Sequence, residues 1–219
     1  MTAPSDADRD KFGTEPFYAA LGRAFIAMCA VIPVLFLIEF INRATSNSLD
    51  NEGAIVPLSV RGLDGIVLAP FLHISYAHLY GNAVPLLLTG TFVLAGGARR
   101  FLFVTGLIVL ISGLGVWFFG DAPTVGASGV IFGYIGYLFM RGLVEHNWWN
   151  IAVALLIGLL FGWQIDGVLP GNHAVSWQAH LFGLIGGLAA AILFRSRRPA
   201  GLGVSAQSQA AMARRCGAF

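Results

Sequence analysis

The chain has 219 residues, of which 57% are hydrophobic and 11% are charged, and its formal net charge is +2. About a quarter of the residues in an average soluble domain are charged, so this composition excludes an ordinary soluble fold. The small net charge also excludes nucleic acid as an expected partner. Membrane lipids are the expected surroundings.

Six apolar stretches come close to the roughly 20 residues that cross a bilayer as a helix. They lie at about 22–41, 78–97, 101–119, 127–143, 149–166 and 177–194. Residues 1–21 precede them as a polar cytoplasmic segment, and residues 197–219 follow as a cytoplasmic tail. The sequence therefore predicts an all-α membrane protein, with a bundle of six transmembrane helices between residues 22 and 196.

The arginines that flank these stretches predict their orientation. Most of them lie at alternate ends, namely Arg23, Arg99, Arg100, Arg141, Arg195, Arg197 and Arg198. Only Arg43 and Arg61 lie at the other ends. Because basic residues accumulate on the cytoplasmic side, both termini are expected in the cytoplasm of this multi-pass protein.

The longest connection, at about residues 43–77, falls on the outer side. It is too long for a simple turn, and its part from Leu63 to Leu72 is apolar. We therefore expect this connection to form a folded or re-entrant loop.

Polar residues collect where three of the stretches begin. His78 and Asn82 begin the second stretch, Ser128 opens the fourth, and His180 lies near the start of the sixth. All three stretches begin on the outer side, so these side chains should share one depth. His78 and Asn82 are four residues apart and so lie on one helix face.

Ser128 is the candidate nucleophile, and it needs a base because a free hydroxyl is too weakly acidic at neutral pH. His180 can take that proton and return it to a leaving amine. No Asp or Glu lies in the outer halves of the fourth and sixth stretches, which favours a dyad over a triad. Phe132, one turn after Ser128, is expected to stack on the imidazole. His78, Asn82 and the Ser128 backbone N–H are candidate donors to an oxyanion.

Glycines predict that the fourth and sixth helices approach closely. Gly129, Gly133 and Gly136 form a small-residue stripe on the fourth, and Gly183 and Gly187 continue the His180 face on the sixth. Small residues at such spacings let two membrane helices pack backbone to backbone. A direct hydrogen bond between a serine and a histidine on these helices requires that approach.

Other interpretations fit the same residues. A membrane serine often bonds only backbone or a neighbouring helix, and glycine stripes often serve packing alone. One alternative function is a non-proteolytic binder of transmembrane helices. Another is a metal-dependent protein or transporter that uses His73, His78, His173 and His180. No acidic residue accompanies these histidines and HExxH is absent, so we predict neither a metal nor a cofactor.

Three strings resemble the motifs of the rhomboid intramembrane serine proteases: HISYAHLYGN, GASGVIFG and AHLFGLIGG. The resemblance extends over about residues 60–195 and implies that Ser128 is the nucleophile and His180 the general base. It puts His78 and Asn82 at the family's oxyanion-stabilising positions. Gly126 then falls at the first glycine of the nucleophile motif, and Phe132 at the aromatic that packs on the catalytic histidine.

The resemblance also implies a place and a substrate class. Six spans look like the basic bacterial form, which implies the bacterial cell membrane. The implied substrates are transmembrane segments of other membrane proteins, cut near the outer surface.

Overall fold

A computed structural model describes residues 12–160 and 176–195 of the chain. Six of its helices are long: α1 Glu15–Ala44, α2 Tyr76–Ala95, α3 Ala98–Phe119, α4 Ser128–Glu145, α5 Trp148–Leu160 and α6 Trp177–Leu193. Each overlaps one of the six predicted apolar stretches. The predicted all-helical fold is confirmed for the described part of the chain. The predicted cytoplasmic tail 197–219, most of the N-terminal segment and the end of the fifth stretch lie outside the described residues.

Three helices, α1, α2 and α3, are long and apolar enough to cross a membrane. Helices α5 and α6 are apolar but shorter over the described residues. The chain is thus an integral membrane protein with helical spans. The number six for those spans stays a prediction.

Helix α1 begins inside the segment 1–21, earlier than the apolar stretch predicts. The hydroxyl of Thr14 accepts a hydrogen bond from the Phe17 amide at 3.4 Å, which caps the helix. Glu15 and Pro16 also favour a first turn, through the helix dipole and through the fixed φ of proline. These residues favour the start of a helix but lower the local hydropathy. A helix boundary predicted from hydropathy alone therefore falls too late in the chain.

Helix α4 lies at the centre of the bundle. It contacts α2, α3, α5 and α6. Its side chains Tyr134, Tyr137 and Leu138 are 1% exposed or less. The nucleophile candidate therefore stands at one end of the most enclosed helix, where packing on several sides fixes its position.

The two glycine stripes meet as predicted. A Cβ atom added to Gly183 would collide with the carbonyl oxygen of Gly129, and one added to Gly187 with that of Gly133. On Gly136, an added Cβ would lie 2.8 Å from the Leu184 carbonyl oxygen. The backbones of α4 and α6 thus touch at positions where only glycine fits.

The connection between α1 and α2 is folded, as the sequence predicts. It contains the short helices Ser48–Gly53 and Gly65–Leu68 and the 3-10 turns Val60–Gly62 and Ala69–Phe71. Ile55 and Thr124 exchange two backbone hydrogen bonds of 3.0 Å, which tie this connection to the chain just before α4. The Gly126 amide donates to the Ala69 carbonyl at 2.9 Å. The folded connection therefore holds the segment that leads into Ser128.

Candidate active site

Ser128 and His180 are in direct contact. The Ser128 hydroxyl lies 2.8 Å from Nε2 of His180, although the two residues are 52 positions apart in sequence. Ser128 is the first residue of α4 and is half-buried, whereas His180 is 2% exposed in the first turn of α6. The close α4–α6 packing makes this hydrogen bond possible.

Phe132 holds the imidazole from one face. Its ring stacks on His180 with the ring centroids 4.3 Å apart and the planes 19° apart. Phe132 lies one turn after Ser128 on the same helix, as the sequence predicts. Stacking leaves the edge of the imidazole free to turn its Nε2 toward the hydroxyl.

Polar side chains that the sequence analysis missed anchor the first turn of α6. The Ser112 hydroxyl donates to the Ala179 carbonyl at 2.9 Å. Gln178 Nε2 donates to the Phe119 carbonyl at 2.9 Å and to Asp121 Oδ2 at 2.8 Å. These bonds tie the residues next to His180 to α3 and to the connection that follows it. The available signal was polar residues in apolar surroundings: Ser112 inside α3, and Asp121 and Gln178 near helix ends.

Two candidate donors border the backbone before Ser128. Gly126 has a φ of +131°, and a Cβ added there would lie 2.7 Å from His78 Cε1 and 3.9 Å from Asn82 Nδ2. Asn82 is 2% exposed, and in the described part of the chain its Nδ2 has no hydrogen-bond partner. A buried donor without a partner requires an explanation, and an acceptor that binds only during a reaction is one. The geometry suits hydrogen-bond donors whose acceptor is present beside Ser128 only during a reaction.

The Ser128 amide is the third candidate donor. Ser128 is the first residue of α4, so its N–H lies among the amides that have no partner within the helix. Helix N-termini favour negative charge. An oxygen that becomes negatively charged beside Ser128 would thus lie near His78, Asn82 and this amide.

His73 supports the donor side by packing. It is 1% exposed, and its ring meets that of His78 edge to face at 5.2 Å. Burial lowers the pKa of His73 to about 3, and the charge of His78 acts in the same direction. His73 is therefore neutral at neutral pH.

Three of the four histidines in the metal alternative, His73, His78 and His180, lie among the described residues. His173 lies outside the described residues. Among the residues that the structure does describe, no three His, Cys, Asp or Glu side chains group as metal ligands. His78 and His180 instead lie on either side of the Ser128 region, the first toward Gly126 and the second on the hydroxyl.

Comparison with known proteins agrees with the motif resemblance. A family model described as Rhomboid domain matches residues 61–197, which is more than half of the chain. The match includes the helices that carry His78, Asn82, Ser128 and His180.

Individual relatives extend the comparison. An uncharacterized protein of Mycobacterium tuberculosis is 37% identical over 172 residues, covering 74% of the chain and 71% of that protein. An uncharacterized protein of Mycobacterium leprae is 36% identical over 178 residues, covering 77% of the chain and 70% of that protein. The rhomboid protease GluP of Bacillus subtilis is 33% identical over 127 residues, covering 55% of the chain and 24% of that protein.

Proposed function

The chain belongs to the rhomboid family, and from that premise we propose that it is an intramembrane serine endopeptidase with a Ser128–His180 dyad. The observation that carries the proposal is the 2.8 Å contact between the Ser128 hydroxyl and His180 Nε2, next to buried donors. A hydroxyl paired with an oriented base is what acyl transfer to serine requires.

In the proposed reaction, Ser128 Oγ attacks the carbonyl carbon of a peptide bond while His180 Nε2 accepts the hydroxyl proton. The resulting tetrahedral intermediate collapses as His180 gives that proton to the leaving amine. The product at this stage is an acyl ester on Ser128. Water, deprotonated by the same imidazole, then attacks the ester and releases the new carboxylic acid.

The oxyanion of the intermediate is the charge that the donor side would stabilise. His78, Asn82 and the Ser128 amide all border the position next to the nucleophile. Such donors act most strongly where water is excluded, and losing one costs about 10²–10³ in rate in comparable enzymes.

The membrane arrangement completes the proposal. Residues 22–196 form a six-span domain in a bacterial cell membrane, with both termini in the cytoplasm. Ser128 then lies near the outer surface, where a polar cavity can supply the water that hydrolysis consumes.

The proposed substrates are transmembrane segments of other membrane proteins. A membrane helix keeps its peptide bonds hydrogen-bonded, so it must unwind locally before Ser128 can attack. Substrates with Gly or Pro near the cut should therefore be preferred, because these residues weaken helices.

Purified wild-type protein and Ser128→Ala, reconstituted in liposomes with a transmembrane substrate that carries such residues, test the proposal. The wild type should cut the substrate and the variant should not. Cleavage by a pure Ser128→Ala preparation would contradict the proposal. Substrate capture without cleavage by both proteins would favour the non-proteolytic binder instead.

A further inference from the structure

Helix α1 carries a carboxylate that the proposed mechanism does not use. Glu39 is 1% exposed, and it is the only buried carboxylate in residues 12–160 and 176–195. A charged group inside a membrane helix bundle is costly and rare, and it marks a function by default. A functional site that Glu39 serves must lie close to its carboxylate.

The carboxylate is held from two sides. Arg43 Nε donates to Glu39 Oε1 at 2.7 Å, and Asn42 Nδ2 approaches Oε2 at 3.5 Å. Asn42 is itself fully buried, and its Oδ1 accepts from the Asp50 amide at 3.2 Å. The Glu39 side chain is therefore fixed in place, together with the end of α1.

The same ion pair reaches the segment that leads into α2. The Nη2 atom of the Arg43 guanidinium donates to the carbonyl oxygen of Ile74. Ile74 lies between His73 and Ser75, and the Ser75 hydroxyl caps α2 by accepting from the His78 amide at 3.1 Å. Glu39 thus fixes, through Arg43, the turn from which His78 projects.

The register of the two helices puts Glu39 opposite His78. Two contacts between α1 and α2 set this antiparallel register: the Phe36 ring, 5.0 Å from the Tyr80 ring, and Arg43 on the Ile74 carbonyl. Glu39 lies between Phe36 and Arg43, and the matching position on α2 is at His78. The ion pair therefore lies beside the first turn of α2, which carries His78.

The His78 ring has two different edges. Its Cε1–Nε2 edge faces Gly126 and hence the Ser128 side. Its Nδ1 is buried and has no hydrogen-bond partner among the described residues. The ring is therefore not fixed by a hydrogen bond at Nδ1, and the position of the backbone turn before it must orient it.

We propose that the Glu39–Arg43 pair is a positioning element that fixes His78 as an oxyanion donor. The pair anchors the Ile74 turn and so holds the Cε1–Nε2 edge of the His78 ring toward Gly126 and the Ser128 side. This inference rests on the proposed proteolytic function. Glu39 is a positioning residue because it acts through His78.

A buried ion pair could also serve only to join α1 to α2, and the experiment must separate the two roles. The replacement Glu39→Gln removes the charge and keeps the shape. If Glu39 acts through His78, kcat should fall about tenfold or more, up to the 10²–10³ expected for losing a donor, while KM changes little. A purely structural role would lower the melting temperature without this selective loss of kcat.

A double-mutant cycle sharpens the test. In the His78→Ala background, Glu39→Gln should have almost no further effect on kcat, because the group that it positions is gone. Glu39→Asp should recover part of the lost rate. The matched control is Glu145→Gln, which removes another ion pair four residues apart, Arg141–Glu145, far from Ser128 along α4. It should leave kcat unchanged.

The outcomes separate this inference from the proposed function. Wild-type protein without Ser128-dependent cleavage overturns both. Normal cleavage by folded Glu39→Gln, or equal effects of this replacement with and without His78, overturns the inference alone. If Glu39→Gln does not fold, Arg43→Gln breaks the same ion pair from the other side. The Arg43 side chain is 37% exposed. That variant must then show the same selective loss of kcat, and an unchanged kcat overturns the inference.

Discussion

The two ends of the bundle each contain an ion pair between residues four apart, but the surroundings of the two pairs differ. At the Ser128 end, Arg43 pairs with Glu39 and donates to the Ile74 carbonyl, just before the helix that carries His78. At the opposite end, where α4 finishes, Arg141 is 2% exposed and pairs with Glu145 at 2.9 Å. The Arg141 guanidinium also lies 6.0 Å from the centre of the Tyr137 ring.

The two ends differ in the chemistry that their side chains could perform. The Ser128 end combines a buried amide donor at Asn82, a left-handed backbone at Gly126 and a folded connection that supports both. The opposite end shares two such features, since Asn150 Nδ2 is buried without a partner among the described residues and His146 has a positive φ. What distinguishes the Ser128 end is the contact between the Ser128 hydroxyl and His180 Nε2. At the opposite end, α4 finishes in an ion pair at a helix terminus. Function should therefore be lost by changes at one end only.

The largest effect should come from His180→Ala. Without its base, Ser128 should lose activity on the order of 10⁴-fold or more, which amounts to no detectable cleavage. The matched control is His146→Asn at the opposite end, because His146 has a φ of 53° that asparagine tolerates. Cleavage of a liposome-reconstituted substrate measures both. If His146→Asn also lost activity while keeping its normal stability, the two ends of the bundle would not differ in function.

A smaller loss should follow Asn82→Ala. Its buried Nδ2 would bind the oxyanion mainly in the transition state, so kcat should fall by about 10²–10³ while KM changes much less. Asn150→Ala is the matched change, since Asn150 is also buried, at the start of α5. The two variants should differ in kcat even where their melting temperatures are equal. Equal kcat values for folded Asn82→Ala and wild type would show that Asn82 is not a donor.

Stability should respond where α4 and α6 touch. In Gly187→Ala the added methyl would meet the Gly133 carbonyl, and such overpacking costs about 1–3 kcal/mol. In Gly106→Ala on α3, the added methyl has nothing within 4 Å. Alanine favours a helix over glycine by up to about 1 kcal/mol, so this control should be neutral or more stable. Melting temperatures in detergent compare the two, and a higher value for Gly187→Ala would contradict the packing account.

An effect that is small near neutral pH and grows in acid concerns His73. Its pKa is lowered in the folded protein from an ordinary 6.5 to about 3. Below pH 6.5 the unfolded chain binds a proton that the folded one does not, so the unfolding free energy falls as pH drops toward 3. The slope is at most about 1.4 kcal/mol per pH unit. His73→Gln should flatten it in chemical denaturation, and an unchanged slope would contradict this role.

Much of this arrangement can be predicted from the sequence, because the apolar stretches and the glycine spacings each involve residues close together in the chain. Apolar stretches and glycine spacings predict the helices and the α4–α6 contact, and topology then brings Ser128, His180, His78 and Asn82 to one depth. Each of these inferences uses residues a few positions apart on one helix.

Partners from distant parts of the chain could not be predicted in this way. Glu39 lies in the first apolar stretch, and nothing local shows that it faces His78. Gln178 reaches Asp121 across 57 positions, and the Ser112 hydroxyl reaches the Ala179 carbonyl across 67. Only the packed fold determines such pairs, because they depend on helix register and not on spacing.

The most direct test of the central claim is covalent labelling with a fluorophosphonate, mapped by mass spectrometry. If His180 activates Ser128, the label should be on Ser128 in the wild type and should fall sharply in His180→Ala. It should persist in His146→Asn, whose substitution lies at the other end of α4. Labelling of another serine, such as Ser112 or Ser176, or undiminished labelling of Ser128 without His180, would contradict the account.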